Sequence, residues 1–479
     1  MALSGKNKII VDSVHGDIHL DEIEWEVIDT PSFQRLRNIK QLQMSHLTYP
    51  NAIHTRFAHC IGVLAIMKKI LAPKNVEKLG LDKEEQICLK LASLLHDVGH
   101  YPYSHLVERL GKTKLTEEYL TPPGSINPTK ELAELDYPEH DITGQLILKH
   151  QKDLSDAIGN ADRAKKVADI FTGSDAKLSP FVTSSMDLDR MDYLLRDSFA
   201  TGVPYGRIDI NYLLNNIEID DEKLVCFSEK AIPAAEQFLL ARFFMHKTVY
   251  WHKTTCGMEE ICCHLLKRLR SSSKAMEYKI PSNSARIQEI FSSSELLVFT
   301  DAYIDQIIQK AVNHVVDSNS DRVIPLLAKS IVYRKPPQLL KEVAFWHDGN
   351  GKNHSGSAFL RNFKDNINSL AKDVGLVPEQ FIFSEKSTRI EKSEELVSAK
   401  DLKTIKPDKI EKSEREHREI VKIFNGNKSE SLAMRPESII YKFANHSFNL
   451  YRLYIVLGTE DNPEIIHKLR VKVRDWHNI

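Results

Sequence analysis

Residues 94–105 read LLHDVGHYPYSH. Four of these side chains, His96, Asp97, His100 and His105, can bind a metal ion or carry a proton near neutral pH. Just upstream, EEQICLKLASLL sets Ile87, Leu89, Leu91, Leu94 and Leu95 in a broad apolar band. That band predicts a buried helix running into the histidines. His100 stands four residues after His96, so the spacing predicts both on one helical face. An HD dipeptide alone is a weak signal. It recurs here at His140-Asp141 and His347-Asp348, and a histidine on an apolar face is commonly a hydrogen-bonded core residue.

The flanking motifs change that balance. Upstream, HTRFAHCIGV offers Arg56 and His59, three residues apart on one predicted helical face. Downstream, SSMDLDRMDYLLRD offers Asp187, Asp189, Asp192 and Asp197. The most economical metal shell is His59, His96, Asp97 and Asp189. It supplies two nitrogens and two oxygens, and its two carboxylates neutralise a divalent cation. This donor set suits Fe, Mn, Ni or Co, with Zn and Mg also open. An ion held there lowers the pKa of bound water and polarises a phosphoryl oxygen.

Composition narrows the class. The chain has 479 residues, 42% hydrophobic and 27% charged, ordinary values for a globular protein with a large buried core. Lys and Arg number 65 against 66 Asp and Glu, a net charge of −1. Non-specific nucleic-acid binders carry a basic excess, although a local basic channel leaves nucleic acid open as a partner. No long apolar run and no signal peptide stand out, so no membrane association is expected. The expected location is cytoplasmic, or nuclear in a eukaryote, with reduced thiols. Cys256, Cys262 and Cys263 in CGMEEICC lack CxxC spacing and read as core thiols.

Along the chain, residues 6–20 predict a short hairpin. Helical patterns follow, broken at 111–138 by Pro-Pro-Gly and Asn-Pro, which predict a surface insertion. KLVCF, at 223–227, predicts a strand. The stretch from Ile232 to Arg270 predicts one long helix or two in tandem, with Pro233 near its start. After residue 335, HDGNGKNHSGS predicts a loop, residues 400–420 a charged solvated segment, and SIIYKF and YRLYIVL strands. The fold expected is mainly α: a helical core over 1–335, then a smaller α+β lobe over 336–479 serving oligomerisation or regulation.

IDTPSFQRLRNIKQL, YPNAIHTRFAHCIGV, LLHDVGHYPYSH, DLDRMDYLLRD and MHKTVYWHK together resemble the HD-domain deoxynucleoside triphosphate triphosphohydrolases. The likeness is greatest to the SAM-and-HD-domain members, without room for a SAM domain before residue 8. It covers residues 8–260 well and thins after 335. The resemblance implies an HD-domain, phosphodiesterase-like helical core that splits a dNTP into deoxynucleoside and tripolyphosphate. It implies His105 as general acid, with His100, Arg56 and His140 around the α-phosphate. Glu108 stands where the family has an aspartate orienting that histidine. Arg190 and Tyr193 would meet the terminal phosphates, with a second Mg ion, and Asp197 and Gln41 the sugar 3′-hydroxyl. Arg242 would reach phosphate, and His246 would crowd the sugar. Tyr250 and Leu42 would exclude a 2′-hydroxyl.

Regulation is implied less completely. Lys8, Asp29, Gln34 and Arg37 match one activating-nucleotide set, and Lys230 and Arg334 match part of a second. Glu218, Ser228 and Val11 depart from the family pattern. The resemblance thus implies a homo-oligomer, dimer or tetramer, whose activating nucleotide is open, and a role in dNTP pools, including antiviral depletion. Two other readings compete. One keeps the metal site but acts as a nucleotidase, phosphodiesterase or nuclease. The other is a non-catalytic nucleotide-sensing or nucleic-acid-binding scaffold.

Overall fold

The computed structural model describes residues 8–111, 137–182, 186–220, 225–272, 274–316, 322–348, 354–391, 420–426, 428–444, 446–458 and 462–477. Most of the insertion expected at 111–138 and most of the charged segment at 400–420 lie outside the described residues. The fold is mainly helical, with a small sheet-bearing C-terminal region.

Strands β1 (Lys8–Asp12) and β2 (Gly16–Leu20) form the expected hairpin. The core is built on helices Arg56–Ile70, Lys83–Leu95, Ala161–Phe171 and Leu188–Thr201, which pack on one another. Each begins at a polar cap. Thr55, Asp82, Asn160 and Asp187 accept backbone N–H groups of the first turn, donors that a helix leaves unsatisfied. The Arg56–Ile70 helix is buried nearly all round, because other helices cover it on every side. The Leu188–Thr201 helix ends at Gly202, whose left-handed backbone closes its last turn.

Two glycines let these helices approach. A Cβ at Gly62 would sit 1.9 Å from Asp192 Oδ1 and 2.3 Å from Arg196 Nη2. A Cβ at Gly99 would sit 2.0 Å from the His140 carbonyl oxygen and 2.3 Å from Gly144 N. The first contact seats one helix against the charged face of another. The second seats the histidine loop on helix His140–His150.

The region Ile232–Arg270 is two helices, Ile232–Met245 and Lys253–Ser271, joined by a π-helical turn at His246–Tyr250. Pro233 lies in the first turn, where its missing N–H costs nothing. Strands β3 (Ile217–Ile219) and β4 (Val225–Ser228) pair antiparallel, and β4 pairs parallel with β7 (Lys422–Phe424), which pairs with β8 (Ser429–Ser431). C-terminal residues are thus woven into the core sheet. A second sheet has β9 (His446–Ile455) at its centre, between β5 (Gln338–Asp348) and β6 (Phe381–Arg389). Arg452 of β9 donates to the Trp251 carbonyl at 2.6 Å, and Tyr454 to the Lys253 carbonyl at 3.0 Å, tying this sheet to the helix junction.

Three local expectations are corrected. The helix before the histidines stops at Leu95, so His96 and His100 share a turn, not a helical face. SIIYKF forms a 3₁₀ turn at Ile439–Lys442. There Ser438 caps the turn, and Glu236 takes the Ser438 hydroxyl and the Ile439 N–H, removing the donor a strand would use. His347 and Asp348 belong to β5, and His354–Ser357 open the helix His354–Lys372; only 349–353, outside the described residues, separate them.

Candidate active site

Ending the Lys83–Leu95 helix at Leu95 turns His96 and Asp97 toward the adjoining helices. His59 Nδ1–H donates to Asp192 at 2.8 Å, and His96 Nδ1–H donates to the Ser93 carbonyl at 2.9 Å. Both rings therefore present Nε2, and these two nitrogens lie 3.3 Å apart. Asp189 Oδ1 is 2.9 Å from His59 Nε2 and 3.9 Å from His96 Nε2. Asp97 approaches within 3.5 Å of His96 Nε2 and 3.8 Å of His59 Nε2. His59, His96 and Asp189 form one group that could hold a divalent ion, and Asp97 joins it through His96 in a second group that also takes in Cys60. Burial alone would depress His59. The Asp189 and Asp192 carboxylates outweigh it and hold its pKa up at about 10. This ring therefore lies where the field of the carboxylates favours a cation.

Asp192 was among the downstream carboxylates but not in the expected shell; it sits behind the shell. Its second oxygen meets His15 Nε2 at 2.7 Å, and Arg196 donates to both of its oxygens at 2.8 and 2.9 Å. Arg196 also bridges to Asp12 at 2.9 and 3.2 Å. The hairpin is therefore wired to His59. Such partners fix ring orientation and tautomer.

A second histidine group adjoins the first. His100 Nε2 lies 3.0 Å from Asp97 Oδ1, and its ring stacks on His140 at 4.1 Å. The His105 ring is 5.0 Å from His100 and 5.4 Å from His140. Glu108 Oε2 accepts from His105 Nδ1 at 2.9 Å and lies 3.6 Å from His140 Nδ1. Glutamate thus reaches the histidine as a shorter aspartate would be expected to do. Burial lowers the pKa of His105, Glu108 raises it, and His140 and Arg56 lower it, with a net fall. His105 is walled by protein yet its side chain stays 55% exposed, so a ligand can reach Nε2. His100 is pushed well down by burial, Arg56 and His140, and stays neutral.

Arg56 joins the two groups. It hydrogen-bonds to Asp97 Oδ2 through Nη1 and donates from Nε to Ser104 Oγ at 2.8 Å. Tyr103 and Ser104 both have positive φ, 51° and 50°, an uncommon state for side-chain-bearing residues. Asp301 holds this turn by accepting the Tyr103 N–H at 2.7 Å and the Lys40 N–H at 3.0 Å. The strained turn aims His105.

Several of the expected substrate residues lie together beside this group. The Tyr250 ring is 6.1 Å from Tyr193 and 5.0 Å from His246. Burial pushes His246 down to about 3, with Arg242 and Arg190 adding to the fall. Burial also raises Tyr193, while Arg242 and Arg190 oppose that. Arg190, Tyr193, Arg242, His246 and Tyr250 therefore share one place. Arg242, His246 and Tyr250 are spaced four apart, and the π turn at His246–Tyr250 interrupts the α-helical phase that this spacing would otherwise follow. Arg242 Nε and His246 Nδ1 are buried without a hydrogen-bond partner among the described residues, as is Gln41 Oε1. Leu42 is half-buried beside the core. Asp197 spends one oxygen on His54 Nε2 at 2.8 Å and the other on the Tyr250 hydroxyl at 2.7 Å. His54 was quoted in the sequence motif but not singled out.

Of the expected nucleotide sets, Lys8, Gln34, Arg37 and Arg334 make local side-chain contacts. Lys8 Nζ lies 3.3 Å from the Trp25 ring centre. Arg37 covers Phe57 and donates to Gln34 Oε1 at 2.7 Å, and Gln34 donates to the Ile28 carbonyl at 2.7 Å. Asp29 is exposed at the end of helix Glu22–Asp29. Arg334 donates to the Leu47 carbonyl at 2.8 Å, and the Lys230 carbonyl accepts from Tyr212 at 3.3 Å.

Residues 56–197 match the HD domain and residues 208–283 the HD associated region. With the histidine–aspartate cluster inside the first segment, the chain is an HD-domain protein. Its relatives narrow the group. It is 37% identical over 251 residues to an uncharacterized protein of Methanocaldococcus jannaschii, over 52% of this chain and 46% of that one. It is 27% identical over 388 residues to the uncharacterized protein YwfO of Bacillus subtilis, over 80% of each. It is 28% identical over 273 residues to the deoxynucleoside triphosphate triphosphohydrolase of Homo sapiens, over 51% of this chain and 42% of that one. The chain thus spans about half the length of the archaeal and human relatives. A phosphohydrolase from Bacteroides thetaiotaomicron shares the fold with a TM-score of 0.65 at 20% identity, over 94% of this chain and all of that one. A hypothetical protein from Aquifex aeolicus shares it at 0.66 and 21%, over 98% and 100%. Among the described residues, no helix is long and apolar enough to cross a membrane.

Proposed function

We propose that this chain hydrolyses deoxynucleoside triphosphates to deoxynucleoside and tripolyphosphate. The observation that carries the reading is continuity. The His59–His96–Asp97–Asp189 group passes through His100 directly to an accessible His105–Glu108 pair. His59, His96, Asp97 and Asp189 would hold a divalent metal ion, whose identity is open among Fe, Mn, Ni, Co, Zn and Mg. Bound there, such an ion would supply a nucleophilic water and Lewis acidity.

The chain's own residues do the rest. Water attacks the α-phosphorus, and the bond to the 5′-oxygen breaks. The departing oxygen takes a proton from His105 Nε2, while Glu108 holds Nδ1–H and keeps the ring aimed. Arg56 and neutral His100 face the non-bridging oxygens, and His140 shares Glu108. Arg190 and Arg242 take the terminal phosphates, alone or with a second Mg ion. Tyr250, pinned by Asp197, packs where a 2′-hydroxyl would stand, so deoxyribose is preferred. We place the catalytic core in residues 1–335 and an assembly or regulatory lobe in 336–479. The human relative's name supports the substrate class. A nucleotide-activated oligomer that adjusts dNTP pools, including against viruses, is the biological form this reading takes.

Incubation with Mn and each dNTP, singly and mixed, tests it by chromatography. Deoxynucleoside with tripolyphosphate is the expected product pair. Nucleoside monophosphate with pyrophosphate, or cleavage of a monophosphate or cyclic nucleotide alone, would move the site to another phosphoester class.

A further inference from the structure

A cavity of about 500 Å³ lies on the seam between the helix Lys253–Ser271 and the C-terminal sheet region. Its walls differ in chemistry. From one side come Arg109, His264, Lys267 and Arg268; Lys364 adds a further cation from the helix His354–Lys372. From the other side come Phe363, Ile367, Phe381 and Phe383, with the Phe363 and Phe383 rings stacked at 5.2 Å.

Three carboxylates also line it, Glu260, Glu379 and Glu385, against four guanidinium or ammonium groups. Glu260 is already engaged, by Arg109 at 3.2 Å and by Lys386, outside the lining, at 3.5 Å. Glu385 points to the exposed rim. Burial depresses His264 to about 4, with Lys267, Arg268 and Arg109 adding to the fall and Glu260 opposing it. The positive field of those three cations thus converges on one neutral ring. A recess of this volume at a junction of two regions, apolar on one wall and cationic on the other, has the build of a small-molecule site.

We propose that this cavity binds an organic anion of nucleotide size, its ring against Phe363 and Phe383 and its charged group toward Lys267, Arg268 and Lys364. The site is separate from the histidine–aspartate cluster, and its occupancy does not depend on the dNTP reading. Arg109 follows Glu108 directly, so the cavity wall and the His105–Glu108 pair share one segment of backbone.

The probe is 8-anilinonaphthalene-1-sulfonate, an aryl anion, titrated by fluorescence into the metal-loaded full chain. One saturable site per chain is expected. Ile367→Trp fills the cavity and should abolish it. Lys364→Glu reverses a charge at an exposed position and should weaken binding about tenfold or more. Arg242→Ala, among the expected substrate residues, should leave dye binding unchanged. Displacement by AMP would assign a phosphate ligand, and displacement by indole-3-acetate a carboxylate. Thermal melts identify any variant that fails to fold. Unaltered binding in Lys364→Glu, loss of binding in Arg242→Ala, or resistance to both competitors would overturn the assignment.

Discussion

The histidine–aspartate cluster and the Arg242–Tyr250 group lie side by side but are finished to different degrees. In the cluster, the far nitrogen of each ligand imidazole is already spent, His59 on Asp192 and His96 on Ser93. Beside it, Arg242 Nε and His246 Nδ1 are buried with no hydrogen-bond partner among the described residues, as are His100 Nδ1 and His140 Nδ1 in the second histidine group. A buried polar atom without a partner costs about 1–3 kcal/mol, so a protein leaves several in one place only where something else completes them. On the proposed function, the cluster would take a small ion that needs fixed donors, and the Arg242–Tyr250 group a larger polar ligand that brings its own hydrogen bonds.

That contrast can be broken by separating metal content from turnover. His105→Ala should lower turnover about 10²–10⁴-fold while metal content stays at the wild-type level. Asp189→Ala should lower both. Equal metal loss in the two variants, read by elemental analysis, would end the division of roles. Arg242→Ala should next reduce kcat/KM on the order of 10–100-fold with the metal untouched, because a charge-assisted contact to phosphate is lost. A variant that instead sheds metal would merge the two regions into one. Asp192→Asn sharpens the comparison from the other side. It keeps the shape but weakens the acceptor behind His59, so metal affinity should fall about 10–100-fold. Titration of the metal-free protein measures this, and unchanged affinity would make the link to the hairpin a matter of packing alone.

The members of the candidate metal group, which the structure brings close, lie in short, ordered motifs, each at or near the end of a helix. What stands behind them was not legible in this way. Asp192 is tied to His15, 177 residues away, and Arg196 to Asp12, 184 residues away. No local pattern announces such pairs. Asp192 did carry one signal, three residues after Asp189 on the same helix, facing Gly62. Asp301 carried none, since its task is to hold the backbone of Tyr103 and Lys40 from far along the chain. Periodicity also failed at the π turn, where one wider turn shifts the phase of every later residue. It failed again at SIIYKF, where capping by Ser438 and Glu236 outweighs an apolar alternation.

The smallest expected effect is on pH dependence, and it concerns Glu108, one of the residues at which this chain departs from the pattern the resemblance implies. Glu108 raises His105, against burial, His140 and Arg56, which lower it. His105 can donate to the leaving oxygen only while Nε2 holds its proton, so turnover falls as pH rises through its pKa. Removing the carboxylate by Glu108→Gln lowers that pKa further and moves the alkaline limb of the pH–rate profile to lower pH. His140, which the same carboxylate raises, also falls, and as it loses its proton its own depression of His105 weakens; this opposes the shift but, being smaller than the direct loss of Glu108, does not reverse it. Glu108→Asp keeps the charge on a shorter arm and should return the limb toward its original position. If Gln and Asp give one profile, the carboxylate holds the turn in shape without tuning the histidine. If Gln alone moves the limb, the acid of this site is set by a charge one carbon further out than the resemblance implies.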